Sequence, residues 1–394
     1  MSKNKTKNKS KKGVFAAIIA VVVVFAVVVS GIVVTALYNS FLKPTEFQFV
    51  APVSGDGTGY YRHAYNELTD SEKNVYSVIL QSIYTQPERI EIPQLGDGNL
   101  TTVFEALSYD NPDLFHLGLN CKVYTEGYKT YFETDYILDY ADYTAKLQEA
   151  KDIASVIIDG ASIYTSPYEK EKYVHDYIIN HCSYIEPSES AMANNMYGCL
   201  VEGRASCEGY SRAFQYILNA LNIDNRIVTG ESADDGVNFT NHMWNYVVLE
   251  NSGYFVDLTW DDPRSEGSVL RHTYFNATTN DILLKHRNIQ QNLPLCTDTK
   301  YNYYVYENAF FNIGSGEVFE SMVSNAVHTA VQRQYKCVEL RFSDRAVMEQ
   351  AKNTLFNTGI IYSVYNEVGL ILDTNAAKVY YSSDDQMNTI CLFF

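Results

Sequence analysis

A thiol, an imidazole and a carboxylate follow one another within about fifty residues, the order and types that thiol acyl transfer needs. Cys207 lies in Ser206-Cys207-Glu208-Gly209-Tyr210, His242 in His242-Met243-Trp244-Asn245, and Asp257 in Asp257-Leu258-Thr259-Trp260-Asp261-Asp262-Pro263. A thiol attacks an acyl carbon once a base has taken its proton, and a carboxylate holds that base in the right tautomer. The chain has 2 Trp, and each sits beside one of these groups. Trp244 and Trp260 either wall a substrate channel and exclude water or pack a core.

The elements that must position this set can be read around it. After Ser206, the residues Tyr210, Phe214, Ile217, Leu218 and Leu221 fall on one helical face, and Asn222 ends the pattern. Ser206 is the expected N-cap. Cys207 then lies in the first turn, where free N–H groups and the helix dipole favour a thiolate. Arg226–Gly230 reads as a short strand, and His242–Leu249 with Tyr254–Trp260 as a hairpin around Glu250-Asn251-Ser252-Gly253. A four-residue loop pairs Leu249 with Tyr254, His242 with Asp261, and Asp257 with Tyr246. His242 and Asp257 then share a face but are offset along the strands. A bulge or a different loop must close that offset, and Asp261 stays a rival carboxylate.

The first forty residues set the expected placement. Lys3, Lys5, Lys7, Lys9, Lys11 and Lys12 precede an apolar run from Val14 to Leu37. At about 1.5 Å per helical residue this run can cross a hydrocarbon core of roughly 30 Å. A signal peptide has a shorter apolar region and a small-x-small site, and no such site precedes Tyr38. An uncleaved anchor is expected, with cleavage as the alternative. The lysines stay cytoplasmic, so residues after Tyr38 face outward, in a single-pass protein with an extracytoplasmic catalytic region.

That outer part is acidic. The chain has 30 Lys+Arg and 47 Asp+Glu, and setting aside the six N-terminal lysines leaves 24 against 47, a net of −23. Such a surface repels phosphate backbones, so no nucleic-acid partner is expected. It is a solvated acidic surface first, and one that suits cationic protein substrates second. The 7 cysteines include no Cys-x-x-Cys pair, against a zinc ribbon or redox motif. An odd number leaves at least one thiol free, and Cys207 is the candidate.

Four segments are expected: 1–38, basic N-terminus and anchor; 39–160, linker and N-terminal α/β module; 161–290, catalytic core; 291–394, C-terminal α/β module. In the N-terminal module Thr69-Asp70-Ser71-Glu72 is a capping box. Helices are expected to follow it, over Leu100–Tyr109 and over Tyr143–Ile158, with strands near Cys121–Tyr124 and Tyr128–Tyr136. The core begins with a helix from Pro167 to about His181. His175 and His181 on that helix are six positions apart and do not share a face, so no metal site is expected there. The pairs Asp234-Asp235 and Asp261-Asp262 lack a calcium-loop pattern. No metal or cofactor is expected. In the C-terminal module Val338, Leu340 and Phe342 alternate with Glu339 and Arg341 as a half-buried strand. Ser343 then caps a helix through Phe356, and strands follow near Ile360–Tyr365, Val368–Leu372, Val379–Tyr381 and Thr389–Phe393.

Taken together, Tyr197-Gly198-Cys199-Leu200, Cys207-Glu208-Gly209-Tyr210-Ser211-Arg212-Ala213-Phe214, Gly230, His242-Met243-Trp244-Asn245 and Val256–Pro263 resemble the transglutaminase-like superfamily, a branch of the papain-like fold. The resemblance runs from about Ala161 to Tyr274, with Ser108-Tyr109-Asp110-Asn111-Pro112 a looser match before it, and is strongest to bacterial surface-attached members. It implies an α+β core in which the helix carrying Cys207 packs on an antiparallel sheet. It implies Cys207 as nucleophile, His242 as base, Asp257 as orienter, and protein or peptide amides as substrates for amine transfer or hydrolysis. A catalytically silent surface scaffold or adhesion protein on the same fold is the alternative. One departure is that no Gln lies between Tyr184 and Cys207 to donate to an oxyanion. The Cys207 N–H with a side chain such as Tyr197 would have to serve.

Overall fold

The computed structural model describes residues 23–38, 43, 45–50, 61–262, 269–370 and 378–394. Residues 23–37 are helical and apolar. They are the described part of the expected anchor, and 14–22 lie outside the described residues. Among the described residues no helix is long and apolar enough to cross a membrane.

The chain divides into two compact units. The first comprises 1–51, 68–104 and 117–137; the second comprises 52–67, 105–116 and 138–394. In the first, α1 (Asp70–Ile83) begins at the expected capping box, with Thr69 and Glu72 reciprocally bonded. Its buried face, Val75, Tyr76, Ile79 and Ile83, has helical spacing. The strands β1 (Ile90–Ile92), β2 (Leu117–Glu126) and β3 (Lys129–Tyr136) form an antiparallel sheet in the order β1-β3-β2. Helix α2 (Leu100–Asp110) stops just before Asn111-Pro112, as the sequence suggests.

The second unit starts with α3 (Tyr140–Ala161) and α4 (Pro167–His181), whose proline takes the first helical position. Helix α5 (Cys207–Ala220) follows, and Asn222 leaves it with φ 56°. Tyr210, Phe214, Ile217 and Leu218 are fully buried. The facing sheet is antiparallel: β4 (Asn225–Ser232), β5 (Thr240–Leu249), β6 (Ser252–Val256) and β7 (His286–Arg287), in the order β6-β5-β4-β7. After β6 comes a single helical turn, α6 (Leu258–Asp261), where a continuing strand was expected.

The hairpin between β5 and β6 differs from expectation in one respect that bears on the site. Its turn holds two residues, Glu250 and Asn251, both left-handed at φ 48° and 70°, the backbone of a tight two-residue hairpin. Leu249 therefore pairs with Ser252, and Asn245 with Val256. The shift preserves which side chains share a face and shortens the offset. Continued one step, this register sets Asp257 opposite Trp244, a single diagonal step from His242.

The rest of the second unit carries β8 (Phe310–Phe311), α7 (Glu317–Gln332), β9 (Cys337–Phe342), α8 (Arg345–Lys352), α9 (Ile360–Glu367), β10 (Tyr380–Asp384) and β11 (Thr389–Phe393). The sheet order is β8-β9-β11-β10, with β8 parallel to β9 and the other pairs antiparallel. Three expectations are corrected here, the first being the strand near Val368–Leu372: residues 368–370 form a turn after α9, and 371–372 lie outside the described residues. Ile360–Tyr365 is helical, because Ile361, Val364 and Tyr365 face the core at helical spacing. The cap of α8 is Asp344, whose carboxylate accepts from the Val347 N–H at 3.0 Å. Strand β9 is buried on both faces, Glu339 included.

Candidate active site

The nucleophile helix is held at its first turn by the segment before it. Ser206 is the N-cap, yet its hydroxyl does not cap the helix. It donates to Asn194 Oδ1 at 2.7 Å and to the Ala193 carbonyl at 3.3 Å. This close approach explains two glycines of the family-like blocks. A Cβ on Gly209 would stand 2.4 Å from the Ala193 oxygen, and one on Gly198 2.1 Å from the Met192 oxygen. Farther along, Arg212 pairs with Glu208 at 2.8 Å and donates to the Ser108 carbonyl at 2.6 Å, and Gln215 donates to the Tyr109 carbonyl at 2.9 Å. The Ser108–Pro112 segment is thus tied to this helix.

Helix and sheet are locked beside the site. Ser211 Oγ donates to the Met243 carbonyl at 3.1 Å, and Asn245 Nδ2 donates to the Ser211 carbonyl at 3.1 Å. His242 stands between these anchors and Asp257. Its Nε2 lies 2.6 Å from Asp257 Oδ2. The Cys207 thiol is a hydrogen-bond neighbour of the same ring, and with Nε2 committed to Asp257, Nδ1 is the nitrogen left for it. Burial opposes charge on His242, but the Asp257 carboxylate and these hydrogen bonds outweigh it and push the pKa up to about 10.

Asp257 is fully enclosed and saturated with donors. As N-cap of α6 it accepts on Oδ1 from the Thr259 and Trp260 N–H groups at 3.1 and 3.3 Å and from Thr259 Oγ1 at 2.7 Å. Oδ2 takes His242 and also His286, whose Nε2 is 2.9 Å away. Burial alone would raise the Asp257 pKa; the two imidazoles and their hydrogen bonds hold it well below the usual carboxylate range. His286 turns its other nitrogen to the Ile282 carbonyl at 3.1 Å. Its pKa is lowered by burial and by the neighbouring His242 charge, against the pull of Asp257. The ligand atoms of His242, Asp257 and His286 lie close enough together to hold a metal ion.

Cys207 and His242 open on a cleft of about 430 Å³ lined also by Asn194, Glu208, Glu231 and Gln290. The structure brings together Cys207, His242 and Asp257, and it corrects the expectations for the aromatic residues. Trp244 is fully buried behind the imidazole, ring centroids 5.7 Å apart, so it packs and does not wall the cleft. Trp260 is half-buried with its ring 6.2 Å from His242, under Lys285, and is not a cleft-lining residue. Tyr197 is turned away, its hydroxyl donating to Glu149 at 2.8 Å, so it cannot reach an oxyanion. Asp261, the rival carboxylate, faces His175 at 3.2 Å and accepts from the Tyr274 N–H at 2.9 Å.

Three residues of the site lay outside the sequence reading. His286 has no flanking motif, and only the two-strand contact of β7 with β4 brings it in. Thr259 was visible only as part of the Asp257 block. Asn194, whose Oδ1 accepts from Ser206, lines the cleft together with Cys207.

Residues 157–257 match the family model described as the transglutaminase-like superfamily. No curated protein matches the chain. Among solved structures it is similar to a TGase, at 18% identity and TM-score 0.27, over 39% of this chain and 47% of that one. It is also similar to a candidate cysteine protease from Cytophaga hutchinsonii, at 11% identity and TM-score 0.24, over 36% and 62%. The periplasmic domain of TgpA from Pseudomonas aeruginosa is similar at 16% identity and TM-score 0.23, over 34% and 55%. The chain spans about half the length of these structures.

Proposed function

We propose that the matched region is a transglutaminase-like domain and a thiol acyl-transfer enzyme acting on protein or peptide amides. Cys207 is its nucleophile, His242 its base and Asp257 its orienter. The observation that carries this reading is the His242 ring held by Asp257 at 2.6 Å on one nitrogen, with the Cys207 thiol as its other neighbour at an open cleft.

The chemistry runs in two halves. His242 takes the Cys207 proton, and the thiolate sulfur bonds to the amide carbon, with the carbonyl π electrons moving to oxygen. When the tetrahedral centre collapses, the C–N bond breaks and imidazolium delivers its proton to the departing amine. A thioester remains. An amine or a water then attacks it, His242 takes that nucleophile's proton, and the thiol leaves with it. The first choice makes a new amide, the second an acid. The developing oxyanion needs donors. As the first residue of α5, Cys207 has a main-chain N–H with no intrahelical partner, and the Asn194 amide, which lines the same cleft, is the side-chain donor this reading assigns to the oxyanion. The expected anchor at 14–37 would hold this domain on the outer face of a membrane, where extracellular proteins supply both amide and amine.

Iodoacetamide alkylation of Cys207 from about pH 5 to about pH 9 tests the pair directly. Fast alkylation should persist below about pH 6 and fall by about 10²-fold in His242→Ala. Cys207→Ala should abolish amine incorporation and amide hydrolysis while leaving the circular dichroism unchanged. A rate rising with an ordinary thiol pKa near about 8.5, the same in His242→Ala, would leave a scaffold as the function.

A further inference from the structure

A second group of histidines and carboxylates lies in the same unit, outside the site described above, and we infer that it is a binding site for a divalent transition metal such as Zn²⁺, with His175 Nδ1, Asp176 Oδ1 and His272 Nε2 as ligands. His175 and Asp176 are neighbours on α4, and His272 comes from the chain after α6. Asp176 Oδ1 lies 3.0 Å from His175 Nδ1 and 2.8 Å from His272 Nε2, and the three ligand atoms are all within 4.8 Å of one another.

The far side of each ring decides what the near side presents. His175 Nε2 is 3.2 Å from Asp261 Oδ2, and His272 Nδ1 is 3.3 Å from Glu339 Oε2. A carboxylate accepts, so each of these nitrogens carries the hydrogen. In the neutral rings the opposite nitrogens, His175 Nδ1 and His272 Nε2, are then lone pairs. Both are aimed at Asp176 Oδ1, itself an acceptor. Three acceptors converging on one point need either a second proton on each ring or a cation among them, and one cation satisfies all three at once. A ligating histidine backed by a carboxylate is the usual construction of a zinc site. Lys172 Nζ binds the other oxygen of Asp176 at 2.5 Å and fixes that carboxylate's orientation. Tetrahedral zinc with ligands at about 2.0–2.1 Å needs ligand atoms about 3.3 Å apart, so the contacts open by a few tenths of an ångström.

There is also room for a fourth ligand. Asp176, His272 and Glu339 line a cavity of about 230 Å³ beside the group, which leaves a position for water or for a ligand with an oxygen donor. The site takes two residues from the first long helix of the core and one backed by β9, so metal there would also tie the two sheets' supports together. His272 and Glu339 reach α4 only through the fold.

The test uses the full chain stripped with a chelator and titrated with Zn²⁺ and with Co²⁺. One Zn²⁺ per chain should bind, and His272→Gln should weaken it by at least about 100-fold, with Glu339→Gln weakening it by about 10–100-fold. Bound Co²⁺ should give visible d–d bands with no thiolate charge-transfer band, since no sulfur is a ligand. His286→Gln should leave the affinity unchanged. Failure to bind Zn²⁺, retention in His272→Gln with loss in His286→Gln, or a charge-transfer band that Cys207→Ala removes would each overturn the assignment. Should His272→Gln not fold, Glu339→Gln against His286→Gln decides: loss of affinity in the first alone supports this group, and loss in the second alone overturns it. Cys207 alkylation in the stripped protein reads the active site separately, so the two readings fail independently.

Discussion

Two imidazoles about one aspartate occur twice in the second unit, and the two groups are wired differently. At Asp257 both rings meet Oδ2, and Oδ1 is filled by Thr259 and Trp260. At Asp176 both rings meet Oδ1, Lys172 takes Oδ2, and each ring is tied on its far side to a further carboxylate, Asp261 or Glu339. A ring can shuttle a proton only if one nitrogen faces the reacting atom. His242 keeps such a nitrogen toward Cys207. His286 spends its own on the Ile282 carbonyl, and both rings of the second group spend theirs on carboxylates. Residue type does not separate the two groups. What separates them is which nitrogen is left over.

The largest expected effect comes from cutting the wire at Asp257. Asp257→Asn removes the charge that lifts His242 to about 10 and leaves burial, which favours the neutral ring. The imidazolium-dependent rate should then lose its basic limb near pH 10 and show one below the ordinary histidine value of about 6.5. Turnover at neutral pH should fall by about 10³-fold or more, as it does where an orienting carboxylate is lost. Asp261→Asn, which alters the other group, should change the alkylation rate by less than about twofold. Equal losses in the two variants would erase the distinction drawn between the groups.

A smaller effect is expected at Asn194. If its Nδ2 meets the oxyanion, Asn194→Ala should lower kcat by about 10²-fold with KM nearly unchanged, because the bond forms only as charge develops on oxygen. The alkylation rate, which has no oxyanion, should stay the same. A fall in alkylation would show instead that Asn194 acts by positioning Ser206 and the start of α5.

Much of the site could be read in the sequence, and the reasons for the rest are specific. The apolar face of α5, the order Cys207, His242, Asp257 and the shared face of the last two all follow from short-range periodicity. The hairpin turn was misjudged by two residues because Glu250 rarely takes a left-handed backbone. Here Asn251 follows it in the same conformation, and Lys300 pairs with the Glu250 side chain. The strand expected through Trp260 ends early because Asp257 caps a helical turn, a role its side chain shares with orienting His242. Ile360–Tyr365 was misread because a short apolar run with β-branched residues fits a strand or a buried helix equally well. His286, His272 and Asn194 reach their places by tertiary packing, for which no local pattern exists.

The buried carboxylates extend the comparison to its weakest expected effect. Asp257 is buried with His242, the Thr259 and Trp260 N–H groups and the Thr259 hydroxyl as donors and His286 beside them, and its pKa is driven down. Glu171, one turn before His175 on α4, is equally buried, accepts from Asn276 Nδ2 at 3.0 Å and leaves Oε1 without a partner. Burial raises its pKa to about 8, with Asn276 opposing. An unfolded glutamate titrates near about 4.3. Between those values the folded chain holds a proton that the unfolded chain has released, so stability falls as pH rises through the window and levels off above about 8. Glu171→Gln has no charge to bury. Urea melts should therefore coincide for the two proteins near about pH 4 and separate toward about pH 8.5, with the variant more stable by on the order of a few kcal/mol. Cys207 alkylation should not change. A gap that is constant with pH would mean that Glu171 does not titrate in this window, and the number of donors would no longer explain why one buried carboxylate stays charged and the other does not.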